Sequence, residues 1–197
     1  MRTVDPALLN ERRRQILDAA LICFREKGFH GAAMSAICKR AKMSPGHLYH
    51  YFSAKEDLIQ AIVQEDSLQL EEKLSSLLQE DDLYGAMISR VHEIWDNDHR
   101  MGAALNAEVL AEASRNPRIS KIIREHDARL RDKFASMIRS AQQAGNINPD
   151  IAPDGFATVI IGAINGMRMA DEAGTQLDRA KATEALRELF IACLKPR

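Results

Sequence analysis

The sequence has few cysteines and no long apolar stretch. Its three cysteines, Cys23, Cys38 and Cys193, are far apart and include no Cys-x-x-Cys pair. This spacing argues against a disulfide framework or a zinc ribbon and favours a reducing compartment. Apolar runs such as Val159–Ile164 are far shorter than the roughly 20 residues that cross a bilayer. The segment Met1–Gln15 is too charged for the apolar region of a secretory signal, so we expect a cytoplasmic protein.

Signatures of catalysis and of cofactor binding are also missing. The sequence contains no glycine-rich phosphate loop, no nucleophile elbow and no His-x-x-x-His pair. The segment Asp96-Asn97-Asp98 resembles the start of a calcium loop, but Met101 stands where that loop requires glycine. Cys23 and Cys38 fall on apolar stripes, where cysteine usually behaves as a small hydrophobe rather than as a redox sensor. We therefore expect neither an enzyme nor a metal or cofactor site.

Charge is distributed unevenly along the chain. The 197 residues carry a net formal charge of −1, but residues 1–60 contain ten Lys or Arg against six Asp or Glu. That balance of +4 leaves −5 for the remainder. The basic N-terminal part is therefore the candidate for binding a polyanion.

Apolar residues recur with helical spacing almost from end to end, and no alternating strand pattern occurs, so the fold is predicted to be all-α. The first helix should begin at Asp5-Pro6 or at Asn10 and end at Gly28. Ser53 and Glu56 are predicted to form a capping box that starts a long helix. In all we predict nine helices, the other eight lying near 34–41, 45–52, 53–79, 82–95, 100–114, 117–144, 153–173 and 179–194.

Two short helices joined by a tight turn at Lys42-Met43 are the most informative part of the sequence. Their inward positions are apolar and comprise Met34, Ile37, Cys38, Ala41, Leu48 and Phe52, with Met43 at the corner. Helices this short cannot bury enough surface alone and need the first helix as a backing. The expected result is a compact three-helix unit that presents its last helix to the major groove of DNA.

The outward positions of that last helix are rich in rings with polar tips, and they comprise Pro45, Gly46, His47, Tyr49, His50 and Tyr51. Gly46 in a first helical turn costs roughly 1 kcal/mol relative to alanine, which indicates close approach of the backbone to a partner. The start of the helix at Ser44 and Pro45 leaves free backbone amides that can donate hydrogen bonds to a phosphate oxygen. Lys55 adds a positive charge at the same edge. The alternative is that the rings merely cover the helical bundle.

This segment resembles the helix-turn-helix of the tetracycline-repressor (TetR) family of transcriptional regulators. The matching positions are Gly28-Phe29, Ile37, Ala41, Ser44, Gly46, Leu48-Tyr49, Tyr51-Phe52, Lys55-Glu56 and Leu58. The resemblance covers about residues 10–62 and implies a homodimer of all-helical subunits. It also implies contacts to bases and adjoining phosphates from Pro45, Gly46, His47, Tyr49 and His50, and contacts to phosphates from Tyr51 and Lys55.

Three positions depart from the family pattern. Lys42 stands where the family usually has glycine, Ala33 where it has Ser or Thr, and Cys38 where it commonly has Ala. Lys42 is predicted to adopt a turn conformation that glycine would take more easily. Ala33 removes a hydroxyl that commonly caps the helix and contacts phosphate, and Ser35 is predicted to take over part of that role.

We expect a helix-turn-helix domain at 1–52 and a ligand-binding and dimerisation bundle at 53–197, joined by a continuous helix. The region from Glu108 to Met167 is somewhat similar to the subgroup containing the choline-responsive regulator of betaine synthesis. The last helix has an apolar face wider than its own subunit needs to bury, formed by Ala182, Ala185, Leu186, Leu189, Phe190, Cys193 and Leu194. Gly162 and Gly166 would let a helix of a second copy come close. Ordinary packing within one chain is the alternative.

A ligand pocket is predicted from bulky or adaptable side chains in the second part, namely Trp95, Met101, Phe134, Met137, Phe156, Met167 and Met169. Glu108 and Glu112 repel each other unless Arg115, solvent or a cationic ligand balances them. The leading hypothesis is a repressor released from a near-palindromic operator by a small-molecule inducer, which could be a lipophilic cation. The alternatives are a regulator of the same fold controlled by a protein partner, and a helical enzyme that carries a helix-turn-helix.

Overall fold

The computed structural model of the protein describes residues 6–95 and 100–196. Over these residues the chain forms nine α-helices, a short 3-10 helix and no β-strand, which confirms the all-α prediction. The α-helices are α1 Pro6–Gly31, α2 Met34–Arg40, α3 Pro45–Tyr51, α4 Lys55–Leu77, α5 Leu83–Ser89, α6 Gly102–Ala113, α7 Pro117–Gln143, α8 Pro153–Glu172 and α9 Arg179–Leu194. The predicted Asp5 cap and the Asp96–Asp98 segment lie outside the described residues.

Two predicted helices differ in detail from the observed ones. The helix expected at 82–95 is divided into α5 and a 3-10 helix, Val91–Trp95, because Arg90 leaves the helical conformation with φ −93° and ψ 6°. Helix α1 contains a kink at Gly28, where φ is 69° and ψ is 169°. The continuous part of α1 thus ends at Gly28 as predicted, and a further turn carries the chain to Gly31. Within the described ranges, no helix has the length and apolar character that a bilayer crossing requires.

The start of α4 corrects the predicted capping box. Asp57, rather than Glu56, accepts hydrogen bonds from the Ser53 amide at 2.8 Å, the Ser53 hydroxyl at 2.6 Å and the Ala54 amide at 3.0 Å. Glu56 instead accepts a hydrogen bond from Asn116 Nδ2 at 3.0 Å. Burial raises the pKa of Asp57, but the hydrogen bonds from Ser53 and Ala54 and the charge of Arg118 outweigh burial and lower it below its ordinary value.

The described residues group into two compact units that do not coincide with the predicted division after residue 52. The first unit takes residues from 1–65 and 99–123, and the second takes residues from 66–98 and 124–197. Helix α6 belongs to the first unit because it packs against α1. Helix α4 is continuous from the first unit into the second, as the sequence predicts.

Each unit has its own apolar core. In the first unit the side chains of α1 to α3 pack with those of α6 and the start of α4, including Leu17, Phe24, Ile37, Leu48, Leu58 and Val109. In the second unit α7, α8 and α9 supply most of the buried side chains, including Met137, Ile138, Ile160, Leu186 and Phe190. The helix-turn-helix is therefore supported by apolar packing that includes α6 from the second half of the sequence.

One polar pair of the second unit makes stability depend on pH. The Ser67 hydroxyl and His126 Nδ1 lie 2.6 Å apart between α4 and α7. Burial lowers the pKa of His126 below its ordinary value of 6.5, while Asp127 raises it and Arg129 lowers it further. The unfolded state therefore binds more protons than the folded state at pH values just below 6.5.

We expect the contribution of His126 to the free energy of unfolding to be constant above about pH 7 and to fall as the pH drops below about 6.5, where the unfolded histidine gains its proton. Replacing His126 by Gln should flatten this part of the profile, as measured by urea unfolding at a series of pH values. His92→Gln is the matched control, since His92 is exposed. A His126→Gln profile that keeps the slope of the parent protein would contradict the assignment.

Candidate nucleic-acid interface

Helix α3 begins with a capped turn and ends in an extended residue. Ser44 is the N-cap, and its hydroxyl accepts a hydrogen bond from the His47 amide at 3.3 Å. Pro45 follows as the first helical residue, where its missing N–H costs nothing. Phe52 ends the helix with φ −139° and ψ 113°. These local features hold α3 at seven residues, as the sequence predicts to within one residue.

The two faces of α3 have opposite characters. Leu48 is completely buried and anchors the helix to the first core. Pro45, Gly46, His47, Tyr49 and His50 are exposed, and we call these five residues the α3 outer face. Tyr49 is 50% exposed despite its size, so the rings do not simply cover the bundle.

Tyr51 has an intermediate position between the two faces. Its side chain is half-buried and packs against the first core. The ring centroids of His47 and His50 lie 5.4 and 5.5 Å from that of Tyr51, and the His50 ring meets Tyr51 edge-on. Tyr51 thus supports both histidines of the α3 outer face from behind. This arrangement limits the rotamers that the two imidazoles can adopt.

Gly46 is not required by packing within the protein. A Cβ atom built at this position would have no neighbouring heavy atom within 4 Å. Alanine in an exposed helical turn is more favourable than glycine by roughly 1 kcal/mol. The absence of a side chain at Gly46 therefore has no internal explanation, and it leaves the backbone of α3 open to an approaching molecule.

The turn before α3 confirms the prediction for Lys42. Its φ of 52° lies in the left-handed region, and among the described residues it is the one non-glycine residue with positive φ. The Lys42 amide bonds to the Lys39 carbonyl at 3.2 Å, and the Met43 amide bonds to the Cys38 carbonyl at 3.0 Å. This pair of bonds is the Schellman motif, whose left-handed position normally takes glycine. Lys42 is exposed.

Lys55 has a role that the sequence did not reveal. Its ammonium donates hydrogen bonds to the carbonyl oxygens of Phe29 at 2.7 Å and His30 at 3.1 Å. The same ammonium lies 4.8 Å from the centroid of the Phe29 ring. Lys55 thus holds the last turn of α1, just before α2, and a phosphate contact by this residue remains a prediction.

Two further residues of α1 support the helix-turn-helix and were not singled out from the sequence. Gln15 Nε2 donates to the Ala41 carbonyl at 2.8 Å, at the end of α2. The guanidinium of Arg13 lies 4.9 Å from the centroid of the Phe52 ring, at the end of α3. Their role could not be predicted from the sequence, because polar residues in a run of arginines are usually solvated. Ser35 is exposed on α2, and Ala33 occupies the N-cap position of that helix without a side-chain hydrogen bond.

The predicted ligand-binding residues are divided between the two units. Met101, which is 7% exposed, lies in the core of the first unit. Glu108 accepts a hydrogen bond from the Phe29 amide at 2.7 Å. Glu112 Oε2 lies 2.5 Å from Arg115 Nε and 2.7 Å from His30 Nε2. Arg115 is thus the positive partner of Glu112 among the three alternatives, and the Glu112 carboxylate is not left to balance a cationic ligand.

Electrostatics at Glu112 agree with this correction. The hydrogen bond from Arg115 lowers the pKa of Glu112 below its ordinary value, burial opposes it, and the hydrogen bond from His30 adds to the lowering. The carboxylate is therefore ionised and compensated within the first unit.

In the second unit the predicted ligand-binding residues are also engaged. Phe134 and Met137 are buried in the core, and Met167 packs against it. Trp95 Nε1 donates to the Thr183 hydroxyl at 2.6 Å, and the guanidinium of Arg179 lies 5.5 Å from the centroid of the Trp95 ring. A lipophilic cation would compete with Arg179 for this ring, so Trp95 does not favour a cationic ligand.

The predicted dimerisation residues separate into buried and exposed groups. Leu186 and Phe190 are 2% and 5% exposed in the core of their own unit, so they offer no surface to a second copy. Leu189 is 53% exposed, and Gly162 and Gly166 are also exposed. The sequence was therefore wrong to assign Leu186 and Phe190 to an interface, because periodicity alone does not show which part of a wide apolar face is covered. Cys193 is half-buried.

The three-helix unit and the α3 outer face define a helix-turn-helix regulator that binds DNA. Residues 16–62 match the family model described as bacterial regulatory proteins, tetR family. Residues 95–195 match the model described as BetI-type transcriptional repressor, C-terminal. The chain belongs to the TetR family of transcriptional regulators, which are not enzymes, and its C-terminal part is similar to BetI-type transcriptional repressors.

Similarity to individual proteins extends over nearly the whole chain. The HTH-type transcriptional regulator UidR of Escherichia coli strain K12 is 33% identical over 182 residues, which cover 90% of each chain. The solved structure of Salmonella enterica GusR is 27% identical, with a TM-score of 0.76 and coverage of 98% of this chain and 99% of that one. A regulator from Saccharomonospora viridis in complex with choline shares the fold, with 20% identity, a TM-score of 0.77 and coverage of 95% and 100%.

Proposed function

We propose that this protein is a cytoplasmic, homodimeric repressor that binds a near-palindromic operator and is released from it by a small molecule. The observation that carries the proposal is the α3 outer face, where exposed rings surround a glycine that internal packing does not require. Two-fold symmetry would place two copies of α3 in successive major grooves about 34 Å apart, or a multiple of that spacing. Its C-terminal similarity to BetI-type repressors supports repression rather than activation.

The dimer proposal is supported by an exposed apolar stripe on the last two helices. On α8 the stripe follows a spacing of three and four residues and comprises Gly155, Val159, Gly162, Gly166 and Met169. Val159 is 67% exposed and Met169 is 39% exposed. Leu189 continues the apolar surface on α9. Side chains of this size in contact with water favour a second copy of the chain as their partner.

The effector would bind in the second unit, beside the apolar core that contains Phe134 and Met137 and against which Met167 packs. Choline is the ligand of the Saccharomonospora viridis regulator, but 20% identity supports the fold alone. In this chain Glu112 is paired with Arg115, and Arg179 lies over Trp95. We therefore propose a largely apolar effector without a positive charge.

Selection of bound sequences from random duplexes and from genomic fragments tests the proposed function. We expect a near-palindromic site with two identical half-sites, and an affinity that falls steeply with salt concentration. Weak retention of all fragments without sequence preference would contradict it.

A screen of small molecules by thermal shift, followed by operator binding, tests the effector. By reciprocity, a compound that lowers operator affinity must itself bind less tightly, by the same factor, when operator is present. If no compound in a broad apolar panel changes operator binding, and a protein captured with the regulator does, control by a protein partner replaces the small-molecule proposal.

Lys42 gives a prediction in which stability and DNA binding change in opposite directions. Lys42→Gly should raise the free energy of unfolding by about 1 kcal/mol, because glycine adopts the left-handed conformation without a steric penalty. We also expect weaker operator binding, because a lysine kept in a strained, exposed position beside α3 is explained by a phosphate contact. One lost contact per subunit should reduce the slope of log affinity against log salt by about two for the dimer.

Chemical unfolding and salt-dependent operator titrations measure the two effects of Lys42→Gly. Lys42→Arg, which keeps both the charge and the strained conformation, should bind operator like the parent protein. Lys195→Ala removes a positive charge at the end of α9 and serves as the charge control. An unchanged salt slope for Lys42→Gly would remove Lys42 from the interface.

His50 gives a prediction about sequence preference. Replacing it by Ala should relax the preference at particular base pairs of each half-site, at a cost of about 1–3 kcal/mol if the ring contacts a base edge. Competition titrations with operators mutated at single positions measure the preference. A His50→Ala protein with unchanged affinity and preference would show that this ring does not contact a base.

A further inference from the structure

The last turn of α1, which follows the kink at Gly28 and leads into α2, is held by side chains from two other helices. Phe29 follows the kink at Gly28, and this residue is 3% exposed in the first core. Its amide donates to Glu108 Oε2 at 2.7 Å, from α6, and its carbonyl accepts from Lys55 Nζ at 2.7 Å, from α4. Both backbone polar groups of Phe29 are thus bound by charged side chains. We call the four residues Gly28, Phe29, Lys55 and Glu108 the Phe29 clamp.

Gly28 and Glu108 fit each other closely. A Cβ atom at Gly28 would lie 2.7 Å from Glu108 Oε2, closer than Cβ atoms approach such atoms in proteins, and 3.2 Å from Oε1. The φ of 69° at Gly28 is a second reason for glycine there. The carboxylate can reach the Phe29 amide only because nothing projects from Gly28. The hydrogen bond therefore depends on the absence of a side chain at Gly28.

The start of α2 has no cap of its own. Ala33 occupies the N-cap position and makes no side-chain hydrogen bond. A backbone hydrogen bond from the Ala32 amide to the Gly28 carbonyl, at 3.2 Å, continues the path from the kink to α2. In the absence of a capping side chain, the position of α2 depends on how firmly the preceding segment is held. Helix α2 packs against α3 and so determines where the α3 outer face lies.

Neighbouring contacts also stabilise the last turn of α1, which leads into α2. His30 bonds to Glu112 at 2.7 Å, one turn along α6 from Glu108. Where α6 is followed by α7, the Asn116 side chain donates a hydrogen bond to Glu56 at 3.0 Å, and Arg118 pairs with Asp57. These contacts connect α6 and the start of α7 to α4 and to the last turn of α1. Among these residues of α6 and α7, Glu108 is the one that binds the backbone of that turn.

We propose that Glu108, which lies outside the helix-turn-helix sequence, is a positioning residue for DNA binding. It fixes the Gly28–Phe29 kink through the Phe29 amide, and through that kink it sets the place of α2 and α3. The residue does not touch DNA, and its charge is not what DNA binding requires. What matters is an acceptor oxygen at the Phe29 amide.

Replacement of Glu108 by Ala and by Gln separates this role from a purely electrostatic one. Glu108→Ala should weaken operator binding at least tenfold, whereas Glu108→Gln should stay within about threefold of the parent because its amide oxygen can still accept from Phe29. The slope of log affinity against log salt should be unchanged in both variants, since no phosphate contact is lost. Glu11→Ala, an exposed carboxylate on α1, controls for the removal of a negative charge near the DNA-binding unit.

A double-mutant cycle with Gly28→Ala tests whether the two residues act together. Both single variants break the same clamp, so Gly28→Ala/Glu108→Ala should lose no more operator affinity than the weaker-binding single variant. Affinities are compared well below the thermal transition of each variant, and circular dichroism confirms that each one is folded. Operator binding by Glu108→Ala within twofold of the parent, equal losses for Ala and Gln, or fully additive losses in the cycle would each overturn the proposal.

Discussion

Gly46→Ala is expected to abolish tight operator binding while making the protein more stable. The added methyl group meets no atom of the protein within 4 Å, so it creates no internal clash. Alanine in this exposed turn of α3 should raise the free energy of unfolding by roughly 0.5–1 kcal/mol. On DNA the same methyl group would project from the α3 outer face at the point of closest backbone approach. In the dimer, this steric clash with DNA would occur in both half-sites.

If each half-site loses about 1–3 kcal/mol, the typical range for a damaged base-reading contact, operator affinity should fall at least about thirtyfold. Non-specific binding should change much less, because it depends on phosphate contacts. Fluorescence anisotropy with operator and with a scrambled duplex measures both quantities, and thermal unfolding of the same preparations measures stability. Operator affinity within threefold of the parent protein would mean that Gly46 does not mark a close approach.

Local features of the DNA-binding unit could be predicted from the sequence because their causes lie within a few residues. The left-handed conformation of Lys42 follows from its place two residues after the end of α2. The start of α3 follows from Ser44 and Pro45, and the end of the continuous part of α1 follows from Gly28. In each case one or two side chains decide the backbone conformation, whatever the rest of the chain does.

Features that depend on distant residues could not be predicted. The capping box was placed one residue too early because Asn116 engages Glu56 and leaves Asp57 to cap the helix. The spacing of Glu108 and Glu112 showed that a positive or polar partner was needed. It could not show that the Phe29 amide, 79 residues away in sequence, is the partner of Glu108. Long-range hydrogen bonds of this kind have no local sequence signal.

The apolar face of α9 shows the same limit in packing. Helical periodicity identifies Leu186, Leu189 and Phe190 as members of one wide face, but it does not show what covers each residue. In the structure Leu186 and Phe190 fill the second core, and Leu189 remains 53% exposed. The surface available for a second copy is therefore narrower than the sequence suggests and is centred on α8.

Placing a charge on this surface is expected to dissociate the proposed dimer. Val159→Glu and Leu189→Glu each replace an exposed apolar side chain, so each variant should fold as a monomer. A stable interface buries at least about 1,000 Å², and an uncompensated carboxylate at its centre is strongly unfavourable. Leu68→Glu is the matched control, because Leu68 on α4 is 54% exposed and lies outside the α8–α9 stripe.

Operator affinity should fall with the dimer, because two linked α3 helices bind their half-sites with an effective concentration that a single α3 lacks. Such linkage typically contributes a factor of 10²–10⁴, so we expect Val159→Glu and Leu189→Glu to lose at least about a hundredfold. Leu186→Ala should behave differently: removal of a core side chain should lower the free energy of unfolding by about 2–5 kcal/mol and leave assembly intact. Sedimentation equilibrium separates these outcomes, and dimers for both Glu variants would place the interface elsewhere.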